Sequence, residues 1–212
     1  MIPGGELQLL NHTGTTATIA ASARVSIDFD GVQAVSDDDK LVRYLFRHRH
    51  STPFEHCTLT YRVQCPIFVA RQWHRHRTQS YNEASARYGQ VPEHFYLPES
   101  WHAQAKQNKQ ARGPRLNKDA QLYCTNQAER IMEEAYRVYC ELLEVGAARE
   151  QARIVLPQGM FTSFWATANL WNWIRFCDLR CAPDSQYEIR VYADQIKADI
   201  LRLFPELEKV WQ

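Results

Sequence analysis

The chain has 212 residues, a formal net charge of +1 and an apolar fraction of 45%, a composition that suits a globular protein with a substantial core. A charge so close to zero gives no overall field that would draw the protein to nucleic acid or to a membrane, and no uncharged run is long enough to span a bilayer. Residues 1–5 lack the features of a secretory signal and six cysteines are too few for a disulfide scaffold, so we expect a cytoplasmic protein with reduced cysteines and a single domain over residues 1–212.

The first half of the chain is predicted to contain two helices around one strand. A helix opens at Ser36, where Ser36 and Asp39 resemble a capping pair. Residues 58–65 alternate between apolar and polar side chains, which predicts a strand. Pro66 begins the next helix, because a proline in the first turn loses no helical hydrogen bond. Residues 78–88 are polar and without periodicity, which indicates a loop.

The second half is predicted to be helical. Residues 104–118 are basic and rich in amides, which indicates an exposed connection or a frayed helix pair. Long helices are expected over residues 118–145, with an apolar stripe, and over residues 160–179, which are apolar nearly all round. Ser185 and Glu188 have the spacing of a capping box for the last helix. The expected fold class is therefore α+β, mostly helical with a small antiparallel sheet.

The segment from Arg43 to Arg87 contains eight arginines but no lysine and no aspartate. Its densest part consists of the residues Arg71, Gln72, Arg75, His76, Arg77, Glu83, Ser85 and Arg87. One interpretation is an anion site, because guanidinium groups bind phosphate oxygens in pairs. The other is a solvated helix end in which Arg87 pairs with Glu83. The absence of lysine favours the anion site.

Residues 48–56 carry three histidines and Glu55, which raises the question of a metal site. Their spacing does not match a zinc protease motif and the cysteines form no paired knuckles, so no metal is expected. His50 is better interpreted as a polar group that lies over a ligand. The chain also lacks a glycine-rich phosphate loop, so arginine side chains and backbone groups would have to hold any nucleotide.

Arg153 and Arg180 flank the most apolar part of the chain, and burying an arginine is costly unless something negative meets it. Two kinds of partner are open. The structural partners are the carboxylates Asp178, Asp184 and Glu188, and the functional ones are a ligand phosphate or the carbonyl edge of a pyrimidine.

The order Arg75-His76-Arg77, seven residues and Ser85 matches the RHR-x7-S signature of the flavin-dependent thymidylate synthases, the ThyX family. The chain resembles this family in further blocks, in family order: HSTPFEH at residues 50–56, FxxRQW at 68–73, NExSxRY at 82–88, ARxxLP at 152–157, LR at 179–180 and QxEI at 186–189. The resemblance implies an α+β enzyme that converts dUMP to dTMP. The carbon would come from methylenetetrahydrofolate and the hydride from FAD, which NADPH reduces. It also implies a homotetramer with sites at subunit interfaces.

The resemblance assigns roles to residues at matching positions. Flavin contacts are expected from Thr52, Glu55, Arg75, His76, Arg77, Glu83 and Asn169. Contacts to dUMP are expected from Gln72, Arg75, Glu83, Ala84, Ser85, Arg87, Arg153 and Arg180. The catalytic set is Arg180 at the uracil edge, His50 beside the isoalloxazine ring, and Ser85, which we expect to bind substrate and not to attack it. Trp171 and Asp184 depart from the arginine and histidine that many members carry there.

Two other functions stay open at this point. Arginines interleaved with Trp73, Tyr81 and Tyr88 also suit an RNA- or single-stranded-DNA-binding module, although the neutral net charge opposes it. A helical scaffold whose arginines pair internally is the other alternative.

Overall fold

The computed structural model describes residues 5–26, 37–108 and 111–211, which form eight α-helices and six strands. The strands are β1 (Glu6–Thr13), β2 (Thr58–Pro66), β3 (Ser80–Glu83), β4 (His102–Gln104), β5 (Arg112–Arg115) and β6 (Phe161–Asn169). The helices are α1 (Thr16–Arg24), α2 (Asp38–Arg47), α3 (Thr52–Glu55), α4 (Ile67–Trp73), α5 (Lys118–Glu144), α6 (Arg149–Ala152), α7 (Leu170–Arg180) and α8 (Tyr187–Leu203), with 3₁₀ turns at Arg153–Val155 and Pro205–Lys209. Within these ranges, no helix is both long and apolar enough to cross a membrane.

The main sheet has the strand order β1-β2-β6-β3, and every neighbouring pair is antiparallel. The predicted strand is confirmed as β2, and its alternate residues Leu59, Tyr61, Val63 and Cys65 are fully buried. β3 is an edge strand, so the chain that follows it runs along the open side of the sheet. The α+β fold class is confirmed, and all six cysteines are free thiols.

One face of the sheet is covered by α4, α7 and α8, and large aromatic side chains fill the space between them. Trp173 Nε1 donates to the carbonyl oxygen of Leu59 at 3.0 Å, and Tyr192 Oη donates to that of Gln64 at 2.8 Å. These two groups have the partners that buried indole and phenol groups need, whereas the buried Tyr61 Oη has none within the described residues. The core thus fixes α4 and α7, which carry much of the predicted site at their C-terminal ends.

The long helix α5 confirms the prediction for residues 118–145. Its start is capped by Asn117, whose Oδ1 accepts a hydrogen bond from Ala120 N at 2.9 Å. It ends before Gly146, whose φ of +87° suits glycine. Tyr139 is the one fully buried residue of this helix, however, so most of the predicted apolar stripe is only partly covered by the described part of this chain.

Three predictions of local structure were wrong. Residues 160–179 are not one helix, because residues 161–169 form β6, which pairs with β2 on one side and β3 on the other. An apolar run does not distinguish a central strand from a buried helix. Residues 80–83 of the predicted loop form β3, which has few apolar side chains because it is an exposed edge. The frayed helix pair considered for residues 104–118 is wrong, because the segment contributes to the hairpin β4–β5, and its described residues are largely exposed, as the alternative of an exposed connection had it.

One predicted helix cap is wrong, and the other lies outside the described residues. The capping box of the last helix is wrong, because Gln186 is the N-cap and the Glu188 carboxylate accepts hydrogen bonds from Tyr96 and Arg112. Ser36 lies outside the described residues. The helix α2 begins after Asp37, whose carboxylate accepts from Lys40 N at 3.0 Å.

Candidate active site

An open groove of about 1320 Å³ lies beside the edge strand β3 and collects residues from four separate parts of the chain. Ala84 N donates to the Ser163 carbonyl oxygen at 2.8 Å, which extends the pairing of β3 with β6 by one residue. This bond sets Ser85 at the groove wall. The predicted site residues that line the groove are Arg71, Glu83, Ala84, Ser85 and Arg153.

The two arginines of the groove are exposed and are not neutralised by the chain itself. Among the described residues, no carboxylate forms an ion pair with Arg71 or Arg153. Arg153 donates from Nε to the Glu150 carbonyl oxygen at 3.3 Å, which orients the side chain without cancelling its charge. The groove therefore presents two guanidinium groups to an anion.

The structural alternative for the arginine segment fails at Glu83. Its carboxylate accepts a hydrogen bond from Thr162 Oγ1 at 2.6 Å, and no ion pair between Glu83 and Arg87 occurs in the described part of the chain. The guanidinium of Arg87 lies over the Tyr88 ring at 5.7 Å. Arg75 and Arg77 are also exposed and without an ion pair there, so internal pairing does not account for these arginines.

Ser85 is held in a tight turn. Its Oγ accepts a hydrogen bond from Arg87 N at 3.3 Å. In the described residues, no histidine or carboxylate hydrogen-bonds to Ser85 Oγ. A serine nucleophile needs an adjacent base, so this geometry suits a group that binds a ligand.

A second cluster joins His76 to Arg180. Arg180 Nε donates to His76 Nε2 at 2.9 Å, and the imidazole packs edge-on against Phe176 with ring centroids 4.7 Å apart. Burial and then the positive charge of Arg180 lower the pKa of His76 to about 4. Burial also lowers the pKa of Arg180. Of the structural partners predicted for Arg180, Asp178 pairs with Arg49 and Glu188 with Arg112, and Asp184 forms no ion pair within the described residues.

Gln72 lies on α4 just before this cluster, and its Oε1 is buried without a hydrogen-bond partner in the described residues. Leaving such an acceptor unsatisfied costs roughly 1–3 kcal/mol. A ligand donor would remove that cost, which agrees with the substrate contact expected of Gln72.

A third group of predicted residues lies at the junction of α2 and α3, outside the groove. His50 is exposed, with its ring centroid 6.3 Å from that of Tyr44, and Thr52 and Glu55 are exposed on α3. Within the described ranges, no cluster of three or more histidine, cysteine, aspartate or glutamate side chains is arranged to hold a metal ion. The predicted residues therefore do not all line one groove of a single chain.

Asn169 and Trp171 have structural roles at the start of α7. Asn169 Oδ1 accepts from Asn172 N at 2.9 Å and caps the helix, which leaves its amide nitrogen as a donor. Trp171 is nearly buried against Phe46 and Phe54. The other departure from the family pattern, Asp184, is exposed beside a separate cavity of about 460 Å³.

The residues assigned to a flavin fit such a group by their chemistry. A flavin dinucleotide brings two phosphates, which suit exposed and unpaired guanidinium groups, and a polar ring edge, which suits amide donors. Arg75, Arg77 and the amide nitrogen of Asn169 provide both kinds of contact.

Sequence reasoning missed part of the groove wall and the contact between His76 and Arg180. The groove is also lined by Gln90, Gln151 and Ile154. Ile154 is 86% exposed. Its position next to Arg153 was the one feature of the sequence that could have indicated its place in the groove wall. No local pattern predicts the contact of His76 with Arg180, because 104 positions separate the two residues.

Comparison with known proteins identifies the family. Residues 8–206 match the sequence profile described as thymidylate synthase complementing protein. The chain belongs to this family. A flavin-dependent thymidylate synthase of Thermus thermophilus is 45% identical over 199 residues, which cover 93% of this chain and 72% of the relative. One from Thermosipho africanus is 40% identical over 189 residues, which cover 89% of this chain and 82% of the relative.

Members of the thymidylate synthase complementing protein family also share the fold. The UMP/dUMP methylase PolB from Streptomyces cacaoi, solved with 5-Br dUMP, matches with a TM-score of 0.88 and 33% identity over 97% of this chain and 93% of that one. The resemblance inferred from the arginine signature is therefore confirmed, and a nucleic-acid-binding module is not favoured.

Proposed function

We propose that this protein is a flavin-dependent thymidylate synthase, with a single catalytic domain that methylates dUMP reductively to dTMP in the cytoplasm. Methylenetetrahydrofolate is the carbon donor, and NADPH reduces the bound FAD. The observation that carries the proposal is the groove beside β3, where Ser85 and two unpaired arginines meet in a chain of this family.

The groove suits a pyrimidine nucleotide. Four of the eight residues expected to contact dUMP line it, namely Glu83, Ala84, Ser85 and Arg153. Arg153 supplies charge for a 5′-phosphate, and Ser85 Oγ supplies a neutral hydrogen bond. Glu83 accepts hydrogen bonds, which suits a sugar hydroxyl or a base N–H.

The chemistry assigned to Arg180 follows from where charge develops. Uracil C5 is a weak nucleophile, and it attacks the folate carbon more readily when the ring is polarised as an enolate, with negative charge on a carbonyl oxygen. A guanidinium fork at that edge stabilises the developing charge, most strongly where water is excluded. Arg180 is half-buried and suits this task. When bound, the flavin supplies the hydride that completes the methyl group, and Arg75, Arg77 and Asn169 would hold it.

Turnover tests the function directly. Purified protein with FAD, NADPH, dUMP and methylenetetrahydrofolate is expected to form dTMP, measured by chromatography, and omission of any one component should abolish it. Arg153→Ala should weaken dUMP binding about tenfold or more through the lost phosphate contact. Arg115→Ala removes an exposed arginine outside the groove and is the matched control. No dTMP with every component present would refute the proposal.

A homotetramer with shared sites is part of the proposal. Two observations support it: the predicted residues do not all line one groove of a single chain, and α5 exposes apolar side chains such as Leu122 (63%) and Ile131 (53%). Exposed apolar patches commonly mark interfaces.

Subunit mixing provides the test. Arg153→Ala and His50→Ala protomers should each have low activity when dUMP is limiting. Unfolded and refolded together, they should regain activity at roughly a quarter of sites if each site takes these residues from different protomers. No recovery from a mixed tetramer would place both residues in one subunit.

A further inference from the structure

His76 and Arg180 form a hydrogen bond in which a neutral imidazole accepts from a guanidinium group. A guanidinium only donates, so His76 Nε2 must carry the lone pair that accepts from Arg180 Nε at 2.9 Å. The imidazole is then neutral, with its proton on Nδ1. The acceptor that anchors this arginine is therefore an uncharged ring and not a carboxylate.

The imidazole itself is firmly held. Its ring packs on Phe176, and its backbone is fixed from two sides. Tyr81 Oη donates to the carbonyl oxygen of His76 at 2.8 Å and to that of Trp73 at 3.2 Å, while His76 N donates back to the Trp73 carbonyl oxygen at 2.9 Å. A fixed acceptor defines the direction of the bond it accepts.

The rest of Arg180 is free of partners within the described residues. No carboxylate there pairs with it, and its two terminal nitrogens donate no hydrogen bond to the chain. A carboxylate anchor would have neutralised the guanidinium. An imidazole anchor fixes the Nε side and leaves the full positive charge and both terminal amino groups for another molecule.

We infer that His76 is a positioning residue, whose neutral imidazole holds Arg180 by Nε so that its terminal amino groups meet the carbonyl edge of the pyrimidine base. The inference rests on the proposed function, in which Arg180 contacts the base. It gives His76 a task that is separate from any contact with the flavin.

Three variants separate this role from a general structural one. The amide oxygen of His76→Gln reaches about as far as Nε2 and can accept from Arg180. The oxygen of His76→Asn corresponds to Nδ1 and falls short. Titration calorimetry on the FAD-loaded protein would measure two ligands, dUMP and 2-deoxyribose 5-phosphate, which lacks the base. The third variant, Arg180→Ala, completes a double-mutant cycle with His76→Asn.

We expect His76→Asn to weaken dUMP binding about tenfold, because Arg180 would no longer be placed to make its charge-assisted hydrogen bond to the base. The affinity for the sugar phosphate should stay within about twofold of wild type. His76→Gln should bind dUMP within about threefold of wild type, and His76→Asn should have no further effect once Arg180 is alanine.

Equal dUMP affinity in His76→Asn and wild type would overturn the inference, and so would parallel loss of both ligands. Wild-type protein that does not bind dUMP would refute the proposed function and the inference with it. If wild-type protein binds dUMP and His76→Asn binds it with the same affinity, the inference alone is refuted.

Discussion

Glu188 allows a quantitative test of how the hairpin β4–β5 is attached. Its side chain is only 8% exposed. The carboxylate accepts from Tyr96 Oη at 2.9 Å, forms an ion pair with Arg112 on β5, and accepts from Gln186 Nε2 at 3.2 Å. One buried acceptor thus joins α8 to the hairpin and to the segment around Tyr96.

Glu188→Ala should lower the free energy of unfolding by about 3 kcal/mol. Breaking a buried ion pair by removing one partner costs roughly 3–5 kcal/mol, because the other charge stays buried. The Arg112 side chain is 36% exposed, so water recovers part of that cost and the lower figure applies. For a chain of this size, about 3 kcal/mol corresponds to a fall in Tm of roughly 6–12 °C.

Thermal unfolding followed by circular dichroism would measure the shift. Glu188→Gln keeps an acceptor for Tyr96 and should fall between wild type and alanine. Glu134→Ala is the matched control, because it removes an exposed ion pair with Arg137 on α5. Exposed pairs of this kind contribute little to stability. The reasoning is refuted if Glu188→Ala melts no lower than Glu134→Ala.

Three further predictions concern the site and its surroundings. The pKa of His76 is about 4 in the folded protein and 6.5 ordinarily, so the unfolded chain takes up the proton first as the pH falls. The free energy of unfolding should therefore decrease from pH 6.5 to pH 4. The Tm of His76→Gln should depend less on pH over this range. Asn169→Ala should cost about 1 kcal/mol by removing the cap of α7, and Asn169→Ser should melt close to wild type, whereas equal melts for all three would exclude the cap. Ile131→Glu should reduce the mass measured by light scattering, and an unchanged mass would exclude this face of α5 from the interface.

Elements with a clear period were predictable from sequence, and elements defined by their neighbours were not. The strand β2 alternates because one face is buried, and α5 was placed to within one residue by its apolar stripe. The strand β6 mixes apolar side chains with Thr162, Ser163, Thr167 and Asn169 without a clear period, and only its pairing with β2 and β3 makes it a strand. Local propensity does not contain that information.

The candidate site divides in the same way. The groove could be anticipated because Ser85 and the residues before it are contiguous in the chain, and one strand carries them to the groove wall. The environment of Arg180 could not be anticipated, because it depends on a turn 104 positions away. The spacing of residues in a sequence can predict site residues that lie on the same element. Contacts between residues of different elements can be identified only from the structure.

Twelve of the nineteen arginines have no ion pair within the described residues, and the five that were expected at the active site are among them. Those with an ion pair in the described residues are Arg24, Arg43, Arg49, Arg62, Arg112, Arg137 and Arg202. Those expected at the active site, Arg75, Arg77, Arg87, Arg153 and Arg180, have none there. For exposed side chains the lack of an ion pair says little about function, since surface ion pairs contribute about 0–1 kcal/mol to stability and their absence costs little. For Arg180 the lack of an anion is informative, because a half-buried cation carries a desolvation cost that its hydrogen bond to the neutral His76 offsets only in part. A ligand with an electron-rich edge would offset that cost, which is why Arg180 and not the exposed arginines decides between a binding site and a charged surface.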